Sequence, residues 1–339
     1  MRKFHFLKDK VCSSDVLMSA WKIVSSNGGA PGIDQETIED IRKKGVEQFL
    51  SKLQKELETE KYRIEKIRRV FIPKDNRKLR PSAITTVRDR VVQQAVKLII
   101  EPIFEADFRD YSYAYRPGRS AIDASKEIRR NINHGLTNVI DVDIKGFFDH
   151  IDHEMMIFFV SRRIADPYVI KLIREWLRAG IVFQGSTSYS EEGTPQGGVI
   201  SPLLANIYLN ELDKVWQRKG MDDPRRHNAH LIRYADDLLV PTDRGPHEIA
   251  DKLEHIISAL GLEINREKSR IATAYDGFDF LEFHFVTKLS FVSGNMFAID
   301  YPSDRSVRRF REKVLDFLNS YSLALHVREV KLTADDEKY

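Results

Sequence analysis

The sequence predicts an α+β fold, on two observations. Short apolar segments with the two-residue alternation of strands occur at 139–144, 231–235 and 238–241, whereas most of the chain around them carries helical spacing. Strands so few and short build a small antiparallel sheet set among helices. In chain order, 14–26 and 35–60 read as helices, with the Gly-rich turn 28–34 between them. A strand pair follows at Arg69–Pro73 and Leu79–Ile84, joined by the turn-like Lys74-Asp75-Asn76-Arg77. A long helix is expected from Val87 to Phe104, because Val91, Ala95, Leu98 and Ile99 recur at helical spacing. Further helices are expected at 120–133, 153–163, 167–179 and 201–218.

Composition bounds the reading. At 339 residues the chain exceeds the usual single-domain size, and a hydrophobic fraction of 42% supports more than one packed unit. Against 54 basic residues stand 51 acidic ones, a net charge of +3, so a nucleic-acid surface has to come from clustering. Basic residues do cluster at Arg63–Arg69, at Lys74–Arg80 and at Arg305, Arg308, Arg309, Arg311 and Lys313, although each cluster alone also fits a solvated face. Cys12 is the single cysteine, which excludes an internal disulfide and a Cys-based zinc site. The chain shows neither a signal-peptide core nor an apolar run of membrane-spanning length, so a cytoplasmic protein without a membrane partner is expected.

Tyr234-Ala235-Asp236-Asp237, with Leu231-Ile232 before and Leu238-Leu239-Val240 after, reads as the tight turn of a hairpin. A bare Asp-Asp pair is most often a solvated turn. A third acid changes that balance. In Val139-Ile140-Asp141-Val142-Asp143-Ile144 the strand period places Asp141 and Asp143 on one face, and Gly146 then lets the chain leave before Phe147-Phe148-Asp149. Carboxylates converging in one cleft repel and resist desolvation unless a cation lies between them, and the oxygen-ligand preference of Mg²⁺ makes it the expected ion. A strand and a neighbouring hairpin that deliver three acids suit two-metal phosphoryl transfer, in which the ions stand about 4 Å apart.

These segments, with the run Gly193-Thr194-Pro195-Gln196-Gly197-Gly198-Val199-Ile200-Ser201-Pro202-Leu203-Leu204-Ala205-Asn206, resemble the palm motifs of reverse transcriptases. The long form of that run is similar to the group II intron-encoded reverse transcriptase and maturase proteins. Asn27–Asp34, Ile72-Pro73-Lys74, Val87–Gln93, Tyr113–Ser120, Gly261–Lys268 and Gly277–Leu281 follow in the same order, so the resemblance covers about residues 27–315. It implies a right-hand polymerase fold, with helical fingers at 1–135 and a palm at 136–290 to which 150–190 adds a helical insertion. The start of a helical thumb is expected at 291–339, truncated relative to these proteins.

The resemblance implies an RNA-directed DNA polymerase that extends a DNA or RNA primer on an RNA template with deoxynucleoside triphosphates. Asp143, Asp236 and Asp237, with the Ile144 carbonyl, are expected to hold two Mg²⁺ ions, Mn²⁺ serving as a substitute. Phe148 matches a sugar gate that excludes a ribose 2′-hydroxyl; read alone it is a core phenylalanine. Lys74 and Arg80 match triphosphate-binding finger residues, and Gln196 and Gly197 match the segment under the incoming nucleotide. Lys268 matches a proton donor to pyrophosphate, though a surface lysine fits the sequence nearly as well. Tyr115, Arg116 and Arg119 suit a single-stranded template, or a half-buried strand, and Arg308 and Arg309 a basic thumb helix.

Two departures stand out: Ser82-Ala83-Ile84-Thr85 follows Arg80-Pro81 where relatives carry Leu-Gly-Ile-Pro, and Glu282 replaces a usual Gly. Intron RNA and a protein completing the thumb are further expected partners in an intron mobility and splicing setting. The alternatives are a bacterial defence or CRISPR-associated reverse transcriptase, and a non-catalytic RNA-binding maturase remnant.

Overall fold

One capping box and two glycines set the inner bounds of helices in the N-terminal region. The computed structural model describes residues 2–73, 79–183, 186–189, 192–194, 197–291 and 294–319. Helices α1 (Lys8–Val11), α2 (Ser14–Asn27), α3 (Ile38–Lys44) and α4 (Val46–Glu58) come first. The single helix expected over 35–60 is split at Gly45, whose φ of 104° a side chain would strain, and Thr37 and Asp40 cap α3 reciprocally. Strands β1 (Ile67–Pro73) and β2 (Leu79–Ile84) pair antiparallel; the expected turn at 74–77 lies outside the described residues. Thr86 accepts from the Asp89 amide and so starts α5 (Val87–Glu105).

The chain continues through α6 (Ala121–Asn133), β3 (Asn138–Asp143), a short 3₁₀ turn (Phe147–Asp149), α7 (His153–Ser161) and α8 (Pro167–Leu177). Strands β4 (Ile181–Phe183) and β5 (Ser186–Ser188) precede α9 (Ser201–Arg218), which runs through the interior. Then come β6 (Ile232–Tyr234), β7 (Asp237–Thr242), α10 (Pro246–Ser258), β8 (Arg270–Thr273), β9 (Phe278–Phe280), β10 (Phe283–Leu289), β11 (Met296–Pro302) and a helix over 304–319.

Three sheets result among the described residues. The first, in the order β2-β1-β4-β5, joins β1 to β4 in parallel, so the 150–190 region supplies two strands to the sheet begun by 67–84. The second, β6-β7-β3-β8, is the small antiparallel sheet expected from the sequence, with β8 added at its edge. Period two divides its faces. Ile140, Val142, Leu238 and Val240 enter a large core shared with the N-terminal helices and α9, whereas Val139, Ile232 and Leu239 pack on the other side with α6 residues Ile128 and Ile132 and with Phe278 and Phe285. The third sheet, β11-β10-β9, closes that smaller core.

Glu282, at the turn between β9 and β10, has a definite role in this packing. Its carboxylate accepts from Ser306 Oγ at 2.5 Å and from the Arg309 guanidinium, and its carbonyl accepts from the Ser303 amide at 2.9 Å. The side chain thus fastens the 304–319 helix to the third sheet, and the Arg309 charge holds its carboxyl below the usual glutamate range. A depressed carboxyl stabilises the attached form above the unfolded value and loses that contribution as pH falls. Glu282→Ala is expected to reduce stability by only about 0.5 kcal/mol, since the pair is largely exposed. Its main effect is faster amide hydrogen exchange in 304–319. Unchanged exchange there would refute the fastening role.

Candidate active site

The acids meet because β3 and β7 are neighbours in a fixed register. Asp143 stands opposite Asp237, Val142 opposite Leu238 and Ile140 opposite Val240. Tyr234 pairs with Asp237, leaving Ala235 and Asp236 as a two-residue turn. Ala235 has φ 58°, a left-handed conformation that a non-glycine residue takes only when its surroundings impose it. Asp143, Ile144, Asp236 and Asp237 line one cleft of about 440 Å³, with Gly146, Phe148, Tyr115, Pro81 and Lys268.

The electrostatics of the cleft follow from that convergence. Asp237 is open to solvent along the cleft, yet its carboxyl is pushed up to about 7, by burial first and then by Asp236, Asp143 and Asp141; Lys268 partly offsets this. Contact with solvent tempers the burial contribution, so the repulsion among the acids is the firmer cause. Asp141 is likewise raised to about 6, by burial chiefly, against the Arg270 guanidinium at 3.3 Å. Lys268 Nζ donates to Asp143 Oδ2 at 2.9 Å and Oδ1 at 3.1 Å. Asn265 Nδ2 adds a 3.1 Å bond to Oδ1, and the Asp143 amide meets Ser269 Oγ at 3.2 Å.

Among the described residues no three His, Cys, Asp or Glu side chains stand close enough together to cage an ion. Asp143 instead faces Lys268 and Asn265. The donor set nevertheless fits a hard divalent cation, because it consists of carboxylates and a backbone carbonyl and because mutual repulsion raises Asp237, a strain that positive charge relieves.

Phe148 follows from a tight turn. Gly146, at φ 52°, reverses the chain after β3, and the Phe148 ring packs edge-on against buried Phe147 at 5.2 Å. Its carbonyl accepts from the Thr194 amide at 2.7 Å. Gly193 makes that approach feasible, since a side chain there would lie 3.0 Å from the Phe148 and Asp149 carbonyls. Half-buried Phe148 lines both the acid cleft and a second cavity of about 230 Å³, to which Arg69, Ala83, Leu177 and Ile181 also belong.

The remaining expected residues are distributed unevenly. Gly197 touches β2: with φ 115° it lies so close that a Cβ would meet the Ala83 carbonyl at 2.5 Å. Gly197→Ala is therefore expected to destabilise the fold by about 2–4 kcal/mol, from clash and backbone strain, read as a lowered unfolding midpoint; an unchanged midpoint would contradict the contact. Lys74 and Gln196 lie outside the described residues. The backbone of Arg80 pairs with Ile72 on the strand whose next residue, Pro81, lines the acid cleft.

Tyr115, at φ 57° and half exposed, borders the cleft. Arg116 departs from the expectation of template contact. It is buried, with Nε and Nη2 on Glu105 and Nη1 on the Arg109 and Ser112 carbonyls at 2.6 and 2.9 Å, because a tight turn needs its carbonyls satisfied from within. Arg119 is paired with Asp110 and lies over the Tyr113 ring at 5.5 Å. Arg308 is exposed, whereas Arg309 is tied to Glu282. Sequence reasoning gave no role to Asn265, Ser269 or Arg233. Asn265 was legible in the Gly261–Lys268 segment; Arg233 carried no local signal.

Comparison with known proteins agrees with this geometry. The family model described as reverse transcriptase (RNA-dependent DNA polymerase) matches residues 72–285. Protein YkfC of Escherichia coli (strain K12) is 35% identical over 311 residues, 81% of each chain. The group II intron-encoded protein LtrA of Lactococcus lactis subsp. cremoris is 35% identical over 265 residues, covering 77% of this chain and 41% of LtrA. The putative COX1/OXI3 intron 1 protein of Saccharomyces cerevisiae is 29% identical over 312 residues, with 77% and 37% covered, so this chain spans less than half of either intron protein. With its acids opposed across β3 and β7 inside the matched region, the chain belongs to the reverse transcriptase (RNA-dependent DNA polymerase) family and, within it, to the group II intron-encoded reverse transcriptases and maturases.

Proposed function

We propose that the chain is an active RNA-directed DNA polymerase, joining deoxynucleotides to a primer 3′-hydroxyl on an RNA template. The observation that carries this reading is the register of Asp143 against Asp237 with Asp236 in the intervening turn, three acids on one cleft. RNA binding alone requires no such convergence. Family membership supports nucleic-acid partners, and the intron proteins among the relatives favour an intron setting.

In this reading residues 1–135 act as fingers, 136–290 as palm and 291–339 as the start of a thumb. Asp143, Asp236, Asp237 and the Ile144 carbonyl would hold Mg²⁺, which when bound lowers the pKa of the 3′-hydroxyl and offsets charge on the triphosphate. Phe148 closes the space beside the sugar. Arg80 and Lys74 would bind the triphosphate. Lys268, whose ammonium pairs with Asp143 at the cleft, would donate a proton to the leaving pyrophosphate. Arg308 is exposed and would meet nucleic acid, and half-exposed Tyr115 offers a stacking face at the cleft.

Primer extension with Mg²⁺ and deoxynucleotides on an RNA template, with RNA binding measured in parallel, tests the reading. Binding without extension under any divalent ion would favour an RNA-binding maturase. Among the described residues no helix is long and apolar enough to cross a membrane.

A further inference from the structure

Arg233 is fully enclosed, as is its partner Asp213, and both carry 0% side-chain exposure. A buried ion pair gains stability only when its remaining donors and acceptors are met. Arg233 meets them in a directed way. Its Nε and Nη2 bind Asp213 on α9 at 3.0 and 2.7 Å, and its Nη1 binds Asn206 on α9 at 2.9 Å and the Ala235 carbonyl at 3.3 Å. Asn206 passes the connection on, donating to the Ala114 carbonyl at 2.8 Å beside Tyr115. The Arg233 backbone bridges the same segment, through its amide to the Tyr111 carbonyl at 2.7 Å and its carbonyl to the Tyr113 amide at 2.9 Å.

We propose that Arg233 is a positioning residue, whose buried fork on α9 holds the Ala235 carbonyl and so fixes the left-handed turn that presents Asp236 to the cleft. This rests on the polymerase reading above. A lone apolar side chain would fill the same volume. Only a planar, multiply donating cation can join α9 to a turn carbonyl in this way, and the strained φ of Ala235 is the conformation that needs holding.

The test pairs Arg233→Met with Asp213→Leu, removing both charges together so that neither is left buried alone, and adds Arg233→Lys as a second variant. Three quantities are read: the unfolding midpoint, steady-state extension with deoxynucleotides, and Mn²⁺ binding followed by the free-ion electron paramagnetic resonance signal. The paired variant is expected to stay folded and to lose about 100-fold in kcat, the effect of a small displacement of reacting groups. Its KM for deoxynucleotide stays within about threefold. Mn²⁺ affinity falls about tenfold, as when a group supporting a ligand is removed.

Arg233→Lys, whose single ammonium cannot span Asp213, Asn206 and Ala235 together, is expected to show the same losses and keeps the proposal testable if the paired variant unfolds. A folded variant with natural kcat and Mn²⁺ affinity would overturn the positioning role. If instead the natural chain binds Mn²⁺ but extends no primer, the polymerase reading itself fails, whatever Arg233 does, whereas Asp236→Ala with extension and Mn²⁺ binding intact would remove only the role of the turn.

Discussion

Asp236→Ala is expected to reduce primer extension on an RNA template by about 1000-fold or more, since it removes several kcal/mol of transition-state charge stabilisation. The fold should not suffer. Asp236 heads the neighbouring charges that raise the Asp237 carboxyl, so its removal relieves repulsion in the cleft, and the unfolding midpoint is expected to stay level or rise slightly. That combination separates loss of chemistry from loss of structure. Extension kept within tenfold of the natural chain would sink the proposed role of the turn. Asn at the same position keeps the size and one oxygen donor but no charge, and should recover little.

Phe148→Ala is expected to change selectivity more than rate. The ring packs edge-on against Phe147 at 5.2 Å, and the bond from the Thr194 amide fixes the backbone that carries it. Removing it joins the acid cleft to the cavity of about 230 Å³ behind it and opens space for a 2′-hydroxyl. The ratio of kcat/KM for ribonucleotides to that for deoxynucleotides should rise about 10- to 100-fold, the range that steric exclusion of one small group supplies. Deoxynucleotide efficiency should fall less than about tenfold. An unchanged ratio would return Phe148 to the rank of a core residue.

Much of the site was legible because its elements announce themselves locally. Alternation in Val139–Ile144 placed Asp141 and Asp143 on one face, and the structure has that strand at Asn138–Asp143. Helix α9 spans Ser201–Arg218, the bounds expected of it. Elements that the residues did not betray are short or depend on distant partners. Strands β8 to β11 each rely on neighbours for their hydrogen bonds, and the parallel pairing of β1 with β4 joins Ile67 to Ile181 across more than a hundred residues. Helix α10 was also missed, although Pro246 stands at its first turn.

Charge was the least legible property. Arg116, Arg119, Arg233 and Arg309 look alike as letters, yet one is buried in a turn, one paired with Asp110, one enclosed with Asp213 and one fastened to Glu282. The sequence by itself determined which acids belong on one strand face and one turn, because a two-residue period and a tight hairpin are local properties of the chain. Only the tertiary structure decided which cations reach the cleft and which satisfy the interior, because desolvation and pairing depend on groups that the chain brings together from far apart.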